Sequence, residues 1–138
     1  MRNIIRSSKR VELTSVLLSI KPKYVKAILD GQKQYEFRKV IFKNPNINKI
    51  FIYSTYPVKK VVGTFNIREI IEGHPIELWN NFKLFSGLNE NEFFSYFNGN
   101  SHGYAIKIDN PREFESPMDL TDIHSDLIPP QSFCYLRG

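Results

Sequence analysis

One cysteine in 138 residues, Cys134, leaves no internal disulfide to form and no Cys/His pattern of the zinc-binding kind. No stretch approaches the roughly 18 apolar residues of a membrane-crossing helix. The opening MRNIIRSSKRVELTS lacks the apolar run of about 7–15 residues that marks a secretory signal. The expectation is a cytoplasmic protein with no membrane contact. Glycine-rich phosphate loops, P-loops and dinucleotide fingerprints are missing, as are internal repeats and low-complexity tracts. The three histidines, His74, His102 and His124, are scattered beside turn-forming residues, so neither a triad nor a metal site is expected from them, and no cofactor is implied. Cys134 lies in an apolar stretch and reads as core rather than as a nucleophile.

Acidic residues are scarce at one end only. Residues 1–60 hold 14 Lys/Arg against 3 Asp/Glu, whereas residues 61–138 hold 5 against 11, within a net charge of +5. Such polarisation favours an anionic partner, nucleic acid being the commonest. Sequence halves need not be spatial halves, however, and some of the basic residues can pair with the acidic ones.

The length fits one domain able to bury a core. Residues 1–14 lack periodicity and read as a basic arm, ahead of a domain over 15–138. Ser15–Ile20, SVLLSI, is an apolar run of strand length. Pro22 suits the first turn of a helix whose apolar residues Tyr24, Val25, Ile28 and Leu29 recur at helical spacing, and Gly31 suits its left-handed end. Strand alternation follows in GQKQYEFR, with Tyr35 and Phe37 on one side and Glu36 and Arg38 on the other. Further strands are expected over 49–54, 61–71, 104–108, from Phe114, and over 132–136, with Gly63 a bulge or a close backbone approach. Two short helices are expected between them, over 75–82 and 89–97, the second opened by an Asn89/Glu92 capping box. Their aromatics, Trp79, Phe82, Phe85, Phe93, Phe94 and Phe97, read as packing faces over an open end of the sheet. Strands with few helices and no regular βαβ alternation argue for a small barrel-like α+β domain.

Two features set the charges apart from ordinary surface. Lys21 and Lys23 stand at a helix N-terminus, where the dipole already favours anions and disfavours cations. Glu36 and Arg38 lie side by side at i, i+2 with Lys33 nearby, either as a solvated salt bridge or as the wall of a cleft.

The stretch Gly31-x-Lys33-x-x-Glu36-x-Arg38, directly after LLSIKPKYVKAILDG, resembles the G-x-K-x-x-E-x-R signature of the ASCH domain, a family of the PUA-like superfamily. The similarity continues through IYSTYPVKKVVGTF, the insert with Trp79, GYAIKI and the closing PPQSF.YL, covering about residues 15–136. The resemblance implies an α+β PUA-like pseudo-barrel of about five to seven strands, with a cleft between the first helix and the sheet. It places Lys33, Glu36 and Arg38 in that cleft, with Lys21 and Lys23 at its rim. Ser54, Thr55 and Tyr56 at a strand end, and Gln131, Ser132 and Phe133 near the C-terminus, are further candidates.

The family is associated with RNA, and the expected partner is RNA or a nucleotide-like ligand bound by a monomer, in a regulatory role. Lysines and Arg38 would hold phosphates, Tyr24, Tyr56 or Phe133 would stack a base, and Glu36 would accept from an exocyclic amine or a ribose hydroxyl. The alternative is a hydrolase on RNA or a modified nucleoside, with Lys33 and Glu36 as its catalytic pair and Arg38 or Lys21 stabilising an oxyanion. An amidohydrolase branch of the family has a hydroxyl residue where this chain has Glu36. It also uses a second carboxylate outside the motif, for which Glu69 and Glu72 are available here. A third reading is an adaptor that docks a protein partner on the aromatic insert, favoured if those aromatics form a large exposed patch.

Overall fold

The computed structural model describes residues 13–137, the first two as backbone only. Residues 1–12 of the expected basic arm lie outside the described residues, and positions 13 and 14, expected to close that arm, already belong to the first strand. Six strands, β1 (Leu13–Ile20), β2 (Tyr35–Arg38), β3 (Lys49–Ser54), β4 (Lys60–Gly73), β5 (Gly103–Met118) and β6 (Phe133–Arg137), form one mixed sheet in the order β2-β5-β4-β3-β1-β6. Four helices accompany it: α1 (Pro22–Leu29), α2 (Pro75–Phe82), α3 (Glu90–Phe97) and the short α4 (Leu120–Ile123). The class is α+β, as expected. No helix among the described residues is long and apolar enough to cross a membrane.

β1 explains its own sequence. It runs parallel to β3 and antiparallel to β6, and is covered on both faces. Val16, Leu18 and Ile20 join a central core with Ile50, Ile52, Phe65 and Ile106, while Leu17 joins Tyr53, Val61 and Leu120 on the reverse side. A strand buried on both faces reads as a continuous apolar run rather than an alternation. α1 lies over the central core through Val25 and Ile28, and Gly31 ends it at φ +87°.

β4 and β5 are longer than the sequence suggests. The expected strand over 104–108 and the one from Phe114 are a single bent strand, β5, whose pairing with β4 shifts register three times. One shift sits at Gly63, where a Cβ would lie 2.2 Å from the Arg112 carbonyl oxygen. Gly63→Ala should therefore cost about 3 kcal/mol, the upper part of the overpacking range, because the clashing atom is backbone and cannot swing aside. Urea denaturation measures this, and a loss below about 1 kcal/mol would mean that the bulge can slide.

The helical insert covers the outer face of β2 and β5. Leu78, Trp79, Phe93 and Phe97 pack with Tyr35, Phe37 and Ala105 in a second core, in which Tyr35 stacks on Phe82 and Phe37 meets Phe93 edge-on. Asn89 and Glu92 form the expected capping box of α3. Leu84, Phe85 and Tyr96 remain exposed, but Trp79, Phe82, Phe93, Phe94 and Phe97 pack in or against this core.

Candidate functional site

β2 and β6 are the two edges of the sheet, and the gap between them is the site. Glu36 pairs across the ladder with Ile106, a central-core residue, whereas Phe37 pairs with Ala105 under the insert. Directly paired residues share a face. The charges of β2 therefore point to the inner side of the curved sheet, beneath α1, and the aromatics point outward into the insert. The expected division of labour in GQKQYEFR is present, with the insert core taking the place of the sheet interior.

Arg38 spans the gap. Its Nε donates to Glu36 Oε2 at 3.0 Å, Nη1 to Ser132 Oγ at 3.2 Å, and Nη2 to the Ser19 carbonyl at 2.8 Å, with Nη2 also 2.7 Å from Glu36 Oε2. One guanidinium thus joins β2 to β1 and to the residue preceding β6. This planar multi-donor fork is something a lysine lacks. Glu36 is buried and its other oxygen, Oε1, faces the Lys33 Nζ at 3.7 Å.

Lys33 is only 2% exposed. Its Nζ donates to the Ser86 carbonyl at 2.6 Å and lies 5.2 Å from the Phe37 ring and 5.6 Å from the Tyr24 ring. The loop after the 3₁₀ turn Lys83–Phe85 lies along its stem: a Cβ on Gly87, which has φ +71°, would lie 2.7 Å from the Lys33 Cβ. Burial pulls the amine below its ordinary range, and Arg38 adds to the effect while Glu36 opposes it.

These side chains line a cleft of about 660 Å³, together with Ser19, Ile20, Lys21, Tyr24, Thr55 and Gln131 and with Leu88, Glu92, Ser95 and Tyr96 from the insert. Of the sequence candidates, Lys21, Lys33, Glu36, Arg38, Thr55 and Gln131 line it. Ser132 reaches it through Arg38. Lys23 stands at the edge, paired with Glu92. Three lie elsewhere: Ser54 is buried beside a smaller groove of about 370 Å³ across α1, Tyr56 is 80% exposed, and Phe133 packs edge-on against Phe42. Lys21 is exposed and has no ion-pair partner among the described residues.

The second carboxylate of the cleft is Glu92. Glu69 and Glu72 lie exposed on β4, and Glu72 pairs with His102. Glu92 Oε1 accepts from the Asn89 amide at 2.9 Å, completing the cap, while Oε2 accepts from the Tyr24 hydroxyl at 2.8 Å and from Lys23 Nζ at 2.5 Å. The Asn89 amide, Lys23 and Tyr24 hold its carboxyl down to about 2. Burial, then Glu92, push the Tyr24 hydroxyl up to about 12. A depressed carboxylate stabilises the fold above its unfolded value and loses that contribution as pH falls through the folded one. The stabilities of wild type and Glu92→Gln should differ at pH 7 and converge between about pH 4.5 and 2. A constant gap across acid titration would mean that the ionisation of Glu92 contributes nothing to the difference. Sequence reasoning absorbed Glu92 into its capping role; the Ser86 carbonyl carries no sequence signal at all.

The histidines serve locally. His74 Nδ1 accepts from the Ile76 amide to cap α2, and His124 Nδ1 accepts from the Asp126 amide. No group of three or more His, Cys, Asp or Glu residues able to hold a metal occurs among the described residues. Cys134 is half-buried, and burial pushes its thiol up, away from the nucleophilic form.

An open six-stranded sheet with a charged cleft between its edge strands makes this an α+β domain. Over 124 residues the chain is 32% identical to the ASCH domain-containing ribonuclease of Zymomonas mobilis, spanning 88% of this chain and 83% of that protein. The crystal structure of ASCH from Zymomonas mobilis matches with a TM-score of 0.83 at 31% identity, covering 91% of this chain and 90% of that one. A serine-to-alanine variant of the same protein matches with a TM-score of 0.84 at 28% identity, covering 93% and 92%. The chain belongs to the ASCH domain family. It is also 27% identical over 135 residues to the large ribosomal subunit protein uL22 of Ureaplasma parvum, of which it spans 42%. No family model matches the chain.

Proposed function

We propose that this ASCH domain takes single-stranded RNA into the seam cleft and cleaves it, with Lys33 as the proton-transferring group. The observation that carries this reading is the Lys33 amine, 2% exposed and drawn below its ordinary range, 3.7 Å from Glu36 in a cleft rimmed by the exposed Lys21. A lysine drawn below its ordinary range gives up its proton more readily than an exposed one, which suits it to proton transfer. The similarity to a ribonuclease supplies the substrate class.

In this reading Lys33 takes the proton of a ribose 2′-hydroxyl as that oxygen attacks the adjacent phosphorus. Lys21 offsets the charge that develops on the phosphoryl oxygens. The departing 5′-oxygen then receives the proton from Lys33, leaving a 2′,3′-cyclic phosphate and a 5′-hydroxyl and restoring the amine. Glu36 Oε1 accepts from a donor on the base or ribose, giving selectivity rather than affinity. Arg38 holds the seam, since each of its nitrogens already has a protein acceptor.

The test is a titration of labelled single-stranded RNA and of DNA of the same sequence at two salt concentrations, with the products run on a gel. Salt-sensitive binding of both, with only RNA cut, is the expected result. Cleavage of both strands would remove the 2′-hydroxyl from the mechanism. Binding without cleavage would leave a binding module, and neither binding nor cleavage would overturn the reading.

A further inference from the structure

The helix that roofs the cleft and the insert that walls it meet through one carboxylate. Glu92 gives one oxygen to the cap of α3 and the other to Tyr24 and Lys23 of α1. Tyr24 in turn sets its ring 5.6 Å from the Lys33 Nζ, while the Phe37 ring lies 5.2 Å away. A ring tethered at its hydroxyl cannot swing out of that position, whereas an untethered one can rotate into the cleft or toward solvent.

From these contacts we propose that Glu92 is a positioning residue that acts through Tyr24, holding an aromatic face over the Lys33 amine and fixing that wall of the cleft. This rests on the reading of Lys33 as the reacting group. It also gives the insert a role beyond covering hydrophobic surface: it supplies the Ser86 carbonyl, which orients the amine, and the carboxylate that locks its neighbour.

The groups facing Lys33 can be named element by element. β2 contributes Glu36 and Arg38, and α1 contributes Tyr24, with Lys21 and Lys23 at the rim. The insert contributes Glu92, Tyr96 and the Ser86 carbonyl. Glu92 and the Tyr24 ring both favour the charged ammonium, the first by charge and the second by its π face, against the effect of burial. Removing the tether should therefore carry the amine further from its ordinary range.

The experiment reads the Lys33 titration directly, by NMR of ¹³Cε-labelled lysine in ligand-free protein, for wild type, Glu92→Ala, Glu92→Gln, Tyr24→Phe and Tyr24→Phe/Glu92→Ala. Glu92→Gln keeps an acceptor for the Asn89 cap, so it guards against simple unfolding. The Lys33 midpoint should fall in both Glu92 variants and in Tyr24→Phe, and the pH–rate profile should move in the same direction. The maximal rate should drop by about ten- to hundredfold as the amine loses its fixed surroundings. The double variant should be no worse than Glu92→Ala, because both changes break one tether.

An unmoved Lys33 midpoint in Glu92→Ala, or fully additive effects in the double variant, would overturn the assignment. The titration is read without RNA. Failure of the wild type to cut RNA would overturn the proposed function, while the Glu92 assignment would still stand or fall on the Lys33 midpoint.

Discussion

Lys33→Met should abolish RNA cleavage while leaving a folded domain. Loss of a positioned proton-transfer group costs about 10²–10⁴ in rate, and nothing else in the cleft replaces it: Arg38 is fully engaged and Lys21 is exposed. Methionine retains most of the stem that packs beneath Gly87 and between the Tyr24 and Phe37 rings. It removes a buried amine whose desolvation opposes folding, and it leaves the Ser86 carbonyl without its donor, a loss of about 1 kcal/mol that offsets part of the gain. Glu36 keeps its Arg38 partner, so no lone buried charge is created. Single-turnover cleavage alongside thermal denaturation separates the two effects. A variant that melts like wild type and still cuts RNA at more than a tenth of the wild-type rate would exclude Lys33 as the proton carrier.

The largest stability effect belongs to Arg38. Arg38→Met leaves Glu36 buried with only the more distant Lys33 amine at 3.7 Å, and it strips the donors from Ser132 and the Ser19 carbonyl. Breaking a buried pair by removing one partner typically costs about 3–5 kcal/mol, because the remaining charge is uncompensated. In a domain of this size that amounts to a fall in Tm of roughly 10–15 °C. Arg38→Lys should recover little, since an ammonium cannot reach all three acceptors at once. Arg38→Met/Glu36→Met should regain much of the loss, as replacing both charges with apolar groups of similar volume is often close to neutral. If Arg38→Met costs less than about 1 kcal/mol by urea denaturation, the pair behaves as a surface salt bridge and the seam is open to water.

The two variants divide the charged triad by role, and the sequence carried part of that division. Alternation in YEFR gave the correct faces, and the helix ending at Gly31 and the capping box at Asn89 are local signals that tertiary structure leaves alone. Lys33, Glu36 and Arg38 were legible through their resemblance to the ASCH signature, because the charges by themselves also allow a solvated salt bridge. Glu92 was visible only as a helix cap, since the hydrogen bond that brings it to the site crosses 68 positions to Tyr24. The Ser86 carbonyl was invisible, because backbone atoms acquire a role only through packing. Phe133 looked like a stacking ring and is a packing one, as a partner 91 residues away in Phe42 decides its environment. The single strand β5 was read as two because the pair Asn110-Pro111, with Asn110 at φ +51°, has the chemistry of a turn yet here only bends a continuous strand.

The clasp at Arg38 links position 38 to position 132, a separation of 94 residues. On a ribosome, the first four strands and the insert are made well before that partner exists. Until residues 132–137 emerge, β1 has no β6 beside it and Glu36 and Arg38 face an unsealed gap. The cleft is therefore among the last parts of the domain to form. A nascent chain would travel beside messenger and ribosomal RNA with its seam unclosed, and synthesis itself would set the moment at which the cleft is complete.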